Sequence, residues 1–199
     1  MELFASPTSP YARLLRVIAI EKGIIDRITM RPTNPWESPE ALLAVNPYCR
    51  VPVLITDECV ILTENQLIAQ WLDRQFPDPP LMPRPLAAFA KLGQAQGLID
   101  AAVDIASARR LRKLPDDDPI QSRRQASFGP ALKAIDTALA GADPDSPDMG
   151  DLALAVALGY LDFRLPELDW RGRSPALARW YSAIAERPSL RRTGPDEPL

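Results

Sequence analysis

Hydroxyl groups are the first chemistry this chain offers. Ser6-Pro7-Thr8-Ser9-Pro10-Tyr11 sets four of them within six residues. Ser9 before Pro10 predicts a helix start, with a hydroxyl at the N-cap and proline at the first helical position. Further along, Thr63-Glu64-Asn65 opens another predicted helix, and taken alone it reads as capping with a favourable acidic first turn. Histidine is absent, which removes His-based triads, His general bases and His metal ligands together. The two cysteines, Cys49 and Cys59, are too few for a Cys-only zinc site or a disulfide framework. Chemistry therefore falls to hydroxyls, carboxylates, Lys, Arg and backbone amides, or to a small molecule that brings its own reactive group.

Composition narrows the setting. A chain of 199 residues allows one or two domains, and a hydrophobic share of 46% excludes wholesale disorder. Twenty-three basic residues against 26 acidic ones leave a net charge of −3, without the basic excess of a nucleic-acid binder. No apolar run reaches the roughly 18 residues of a membrane span. Met1 to Phe4 lead directly into an apolar pattern without the basic start and long apolar core of a signal peptide. The expectation is a soluble cytoplasmic protein that binds neither nucleic acid nor membrane.

Proline divides the chain. It occurs 22 times, about twice the usual share, and five of the nine residues in Pro77-Asp78-Pro79-Pro80-Leu81-Met82-Pro83-Arg84-Pro85 are proline. Such a stretch reads as a stiff extended connector, so residues 77–85 are predicted to link a domain over 1–76 to one over 86–199. In the first part, Glu2–Ala5 and Ile28–Arg31 read as strands, and the stretch from Ser9 to Gly23 reads as a buried helix with a glycine stop. Ser38-Pro39-Glu40 repeats the hydroxyl-and-proline helix start. Val51–Ile55 and Val60–Leu62 read as a hairpin, followed by the helix from Glu64 to about Gln75. The order is βαβαββα.

The second part shows no strand pattern. Helices are predicted from Leu86 to about Leu114, from Pro119 to about Ala140, through the apolar run Leu152–Leu158, and from Pro175 to Glu186. Asp148 and Asp151 have capping-box spacing and read as structural. Arg109, Arg110, Arg112 and Lys113, followed by Asp116, Asp117 and Asp118, read as a solvated helix end. Residues 188–199 read as an irregular tail.

Three stretches make the pattern specific. Asn46-Pro47-Tyr48-Cys49-Arg50-Val51-Pro52-Val53-Leu54 resembles the Asn-Pro-x-Gly-Lys-Val-Pro-x-Leu segment of cytosolic glutathione S-transferases. Leu62-Thr63-Glu64-Asn65-Gln66-Leu67-Ile68-Ala69-Gln70-Trp71-Leu72 resembles that family's Leu-x-Glu-Ser-x-x-Ile-x-x-Tyr-Leu segment. Asp148 through Arg164 resembles the buried helix of its second domain. The opening Ser6-Pro7-Thr8-Ser9-Pro10 is similar to a bacterial branch with Ser-Pro where other branches have Cys-Pro.

The resemblance implies an α/β plus all-α fold: a thioredoxin-like βαβαββα domain followed by an all-helical one. It also implies a cis bond before Pro52, with the Val51 backbone pairing to the cysteinyl part of glutathione in β-ladder fashion. Glu64 and Asn65 would hold the γ-glutamyl end, Arg50 would lie against the tripeptide, and Asn65 replaces the family's usual Ser. Ser9 would donate a hydrogen bond to the glutathione thiolate, with Thr8 a rival hydroxyl; Thr8 and Tyr11 would help line the pocket of a second substrate. Glutathione would be a cosubstrate rather than a tightly bound cofactor, no metal is implied, and the family is homodimeric. The expected activity is transfer of glutathione to a small hydrophobic electrophile, as in detoxification. The alternatives are a non-enzymatic glutathione-binding or protein-interaction module of the same fold, and a glutathione-dependent reductase or dehalogenase.

Overall fold

The computed structural model describes residues 1–82, 86–115, 117–139 and 142–199. They form two compact units, Met1–Met82 with Arg187–Leu199, and Pro83–Glu186.

The first unit is built on β1 (Glu2–Ala5), whose Leu3, Phe4 and Ala5 are all buried. An apolar run with no polar alternation suits a central strand covered on both faces. β1 is followed by α1 (Pro10–Glu21), a crossover that returns the chain to β2 (Thr29–Pro32), parallel to β1. The helix begins as the sequence predicts: Ser9 caps it, its Oγ accepting from the Ala12 N–H at 3.3 Å, with Pro10 next. It ends in a Schellman-type turn. Gly23 takes φ +65°, Gly23 N donates to Ile20 O and Ile24 N to Ala19 O.

A short helix, α2 (Glu40–Val45), precedes β3 (Val53–Ile55), β4 (Ile61–Thr63) and α3 (Asn65–Gln75). The sheet order is β2-β1-β3-β4, with β3 antiparallel to both of its neighbours. This is the expected thioredoxin-like βαβαββα order. One start differs: α2 is capped by Pro39, while Ser38 sits at φ 48° as the end of the preceding turn Pro35–Glu37. Proline's fixed φ suits the extended cap, so the hydroxyl is not used.

In the second unit, α4 (Leu86–Ser107) runs into a π-helical turn at Ala108–Arg112 that ends on Lys113 in the left-handed region. It is followed by α5 (Pro119–Ala138), α6 (Met149–Arg164), α7 (Trp170–Arg173) and α8 (Pro175–Ile184). No strand occurs among its described residues. α6 is buried from Met149 to Gly159 and packs on α4. Its start is a capping box: Asp151 N donates to Asp148 Oδ1 at 2.9 Å, and Asp148 N to Asp151 Oδ2 at 3.0 Å. Lys91 of α4 closes on both carboxylates, 2.6 Å from Asp151 and 3.1 Å from Asp148. Gly150 permits this approach, because a Cβ there would lie 3.0 Å from Lys91 Cε and 3.2 Å from Leu92 N. The basic run behaves as a helix end, with Arg109 paired to Glu167. Asp118 caps α5, and Asp116 lies outside the described residues.

The end of the chain departs from the predicted boundary. Residues 187–199, assigned by sequence to the helical half, belong to the first unit and carry one more helix, α9 (Pro188–Arg191). The physical reason lies in α1, whose Arg13 and Arg16 are buried and need acceptors. Arg13 Nη2 donates to Leu190 O at 3.1 Å and Arg16 Nη2 to Pro198 O at 2.7 Å. Arg187 forks onto Glu21 at 2.9 and 2.7 Å, and Ser189 donates to the same carboxylate.

The proline-rich stretch is likewise fastened to the first unit as far as it is described. Lys22 Nζ donates to Phe76 O and Pro79 O and lies 2.7 Å from Asp73, whose carboxylate accepts from Leu81 N and Met82 N. Pro83, Arg84 and Pro85 lie outside the described residues.

Candidate active site

Strand register decides which predicted residues meet. Phe4 of β1 faces Val53 of β3, and Val53 faces Thr63 of β4. The end of β1, the start of β3 and the end of β4 therefore open onto one edge of the sheet. The Ser6–Ser9 turn leaves from the first, Val51-Pro52 enters at the second, and Glu64-Asn65 leaves from the third. β2 ends on the same edge, since Pro32 pairs with Ala5 and Thr33 N donates to Ala5 O at 2.8 Å.

Both helices that start at this edge present their N-termini there. α1 begins after Ser9 and α3 after Glu64, so two positive dipole ends share it. Such an edge suits anions. Ser9 and Thr8 are half-buried, as is Tyr11 in the first turn of α1. The Ser9 oxygen serves the helix as acceptor, and its O–H is a separate donor.

The bond from Val51 to Pro52 is cis, and both residues are buried immediately before β3. The turn ahead of them is held by Asn46, itself buried. Its Nδ2 donates to Arg50 O at 2.9 Å, and its Oδ1 accepts from Tyr48 N at 3.2 Å. Cys49 lies in this turn at φ 51°, a left-handed conformation that glycine adopts most readily. Its half-buried thiol donates to Pro35 O at 3.3 Å. Arg50 is exposed, as is Cys59 in its own turn.

Glu64, which taken alone reads as a cap and which the resemblance assigns to glutathione, stands at the N-cap position of α3. It takes φ 66°, ψ 114°, and its side chain makes no capping bond; the carboxylate is exposed. A non-glycine residue held there costs about 1–3 kcal/mol, and such strain clusters at binding sites. Asn65, by contrast, is buried at 5% exposure. The turn following β2 carries Trp36, 65% exposed, which the sequence reading did not single out. Its signal was an aromatic residue in a polar turn, Asn34-Pro35-Trp36-Glu37, which no periodic pattern explains. Among the described residues, no group of three or more His, Cys, Asp or Glu is placed to hold a metal ion. No described helix is long and apolar enough to cross a membrane.

Comparison with known proteins points the same way. Residues 3–80 match the family model of the glutathione S-transferase N-terminal domain, and residues 69–183 that of the C-terminal domain. A glutathione transferase family member from Pseudomonas fluorescens Pf-5, solved with bound glutathione, is 31% identical; the match has a TM-score of 0.88 and covers 100% of this chain and 99% of that one. An uncharacterized GST-like protein of Escherichia coli, YibF, is 26% identical over 98% of both chains. Glutathione S-transferase GstB of the same organism is 31% identical over 75% of this chain and 76% of its own. With both halves of the architecture matched in order over nearly its whole length, the chain belongs to the glutathione S-transferase family.

Proposed function

We propose that this protein is a glutathione transferase: it binds glutathione at the edge shared by Ser9, Val51 and Glu64, and presents its thiolate to a small hydrophobic electrophile. The observation that carries the reading is the convergence of two helix N-termini, the Val51-Pro52 entry to β3 and a strained acidic residue on one sheet edge. The glutathione-bound relative from Pseudomonas fluorescens supports it.

The division of labour follows from the chemistry. Glutathione carries an ammonium and a carboxylate at its γ-glutamyl end; the Glu64 carboxylate takes the first, and the N-terminus of α3 with Asn65 takes the second. The Val51 backbone pairs with the cysteinyl residue as an added strand, and Arg50 reaches the tripeptide from the preceding turn. Ser9 donates its O–H to the sulfur. Lowering a thiol pKa by about two units requires roughly 2.7 kcal/mol. A charge-assisted hydrogen bond contributes about 1.5–3 kcal/mol and the α1 dipole about 0.3–1. No general base is needed, which fits a chain without histidine. The thiolate then attacks the electrophile, the new C–S bond forming as the leaving group departs with its electron pair. Thr8 and Tyr11 line the side from which the electrophile arrives. The protein acts as a cytoplasmic homodimer, with α3 of one subunit against α4 of its partner; Leu67 of α3 and Phe89 of α4 are exposed apolar residues suited to that contact.

Calorimetric titration with glutathione, paired with the ultraviolet absorbance of bound thiolate, tests the reading. Binding with thiolate absorbance near neutral pH supports a transferase. Binding without it supports a glutathione-binding module, and no binding overturns both. Sedimentation at micromolar concentration tests the dimer, which a 22 kDa species would exclude.

A further inference from the structure

The helical unit carries a cluster of polar side chains of its own. Tyr160 and Arg164 lie four residues apart on α6 and so share a face. The Arg164 guanidinium donates to the Tyr160 hydroxyl and stacks on the Phe163 ring, 3.9 Å from its centroid. Arg110 joins them from the π-helical turn that follows α4. Such turns are rare and frequently mark functional sites.

The cluster has no counter-charge. Burial and Arg110 both act against the Arg164 charge, and Tyr160 alone among the described groups acts for it. At Tyr160, burial outweighs the two arginines and holds the phenol above its ordinary pKa, so the hydroxyl keeps its proton. No carboxylate among the described residues acts on either group. Those nearby are engaged elsewhere: Asp104 pairs with Arg124, Asp162 with Arg171 and Glu167 with Arg109, while Asp100 accepts from Gln96. Two like charges held together are unfavourable until an anion neutralises them. An anion can reach all three groups, since Arg110 is exposed and Tyr160 and Arg164 are half-buried.

The donors define the ligand. Both guanidinium groups donate, and Tyr160, whose oxygen accepts from Arg164, keeps its O–H as a third donor. Three donors suit a head group with three terminal oxygens, and two positive charges suit a dianion. A phosphate monoester has both properties, with a charge of about −1.5 to −2 at neutral pH. We propose that Arg110, Tyr160 and Arg164 bind the phosphoryl group of a small phosphate monoester. The site lies wholly within the helical unit and stands independently of the glutathione reading.

Phenyl phosphate and benzenesulfonate are the probes, because both put three terminal oxygens on a phenyl group and they differ by about one charge. At about pH 8 phenyl phosphate should bind with 1:1 stoichiometry, at least tenfold more tightly than benzenesulfonate. Arg110→Gln changes an exposed side chain, and should weaken phenyl phosphate at least tenfold and bring the two affinities together. Tyr160→Phe removes one donor and keeps both charges, so it should weaken the two probes alike. Arg112→Gln is the control: Arg112 carries the same charge two residues on and does not act on Tyr160 or Arg164, so binding should stay within about twofold. Circular dichroism verifies folding of each variant. Equal binding of the two probes by the wild type, equal losses in Arg110→Gln and Arg112→Gln, or unchanged binding in Tyr160→Phe overturns the proposal.

Discussion

Asn46 holds the carbonyl of Arg50: its Nδ2 donates to that oxygen over 2.9 Å while its Oδ1 takes the amide of Tyr48. One buried side chain thus ties both ends of the turn that delivers Val51-Pro52 to β3. Asn46→Ala removes both bonds and should destabilise the protein by about 0.5–1.5 kcal/mol for each in chemical denaturation. Asn46→Asp keeps the acceptor for Tyr48 but has no donor for Arg50. Its carboxylate faces that carbonyl from a buried position, so it should be at least as destabilised as Asn46→Ala and should weaken glutathione binding, which calorimetry reads.

Ser9→Ala separates thiol activation from capping. The bound thiol should rise by roughly one to two pKa units, the equivalent of about 1.5–3 kcal/mol, while glutathione affinity at low pH hardly changes. Turnover of an aryl halide near pH 6.5 should fall about ten- to a hundredfold and partly recover at higher pH. Loss of the bond from Ala12 N should cost about 1 kcal/mol of stability. An unmoved pH profile transfers the role to Thr8, which Thr8→Val then tests.

Glu64 combines strain with function, and two substitutions pull them apart. Glu64→Gln keeps the backbone and removes the charge, and should weaken glutathione by about 1–3 kcal/mol with stability nearly unchanged. Glu64→Gly relieves the φ of 66° and should raise stability by about 1 kcal/mol while losing the same binding. Equal affinity in wild type and Glu64→Gln would remove the side chain from the site.

Gly150→Ala tests the close approach of α6 to α4. The added methyl meets Lys91 Cε and the Leu92 backbone at 3.0 and 3.2 Å. Alanine is the better helix former, so a surface site would gain from this change. Here it should cost about 1–3 kcal/mol, measured as a lower denaturation midpoint.

Acid should weaken the first unit through two carboxylates. Burial pushes Glu21 up, but the Arg187 guanidinium and the Ser189 hydroxyl outweigh it and hold the group below its ordinary value. Asp73 behaves alike, burial being outweighed by Lys22 and the amides of Leu81 and Met82. A carboxyl with a depressed folded pKa adds stability that is fully present above the unfolded value. That stability fades as pH falls through the folded one. Stability should therefore drop below about pH 4.5, and Glu21→Gln should flatten that limb of the pH–stability curve.

How far the sequence could be read depended on whether the signal was local. The Ser9-Pro10 start, the Gly23 stop and the Asp148/Asp151 box are each decided by neighbouring residues, and each stands where its side-chain chemistry requires. The strand order rested on the resemblance, and register then supplied the sheet edge. Glu64 at positive φ was not legible, because nothing about a glutamate announces that conformation, and at Cys49 the only signal is the glycine that stands there in the segment it resembles. The placement of residues 187–199 was hidden for a different reason. It is decided by buried arginines some 175 positions earlier, and no window along the chain contains both partners.

That distance has a consequence for how the molecule is made. Synthesis runs from the N-terminal side, so Arg13 and Arg16 emerge long before Leu190 and Pro198, whose carbonyls accept from them. The sheet and its three helices are complete in sequence by Met82, yet the unit they belong to is not. A fragment ending there lacks the tail carbonyls that these two core cations meet. A chimera that exchanges this half with a relative must carry two separate segments, one from each end of the chain.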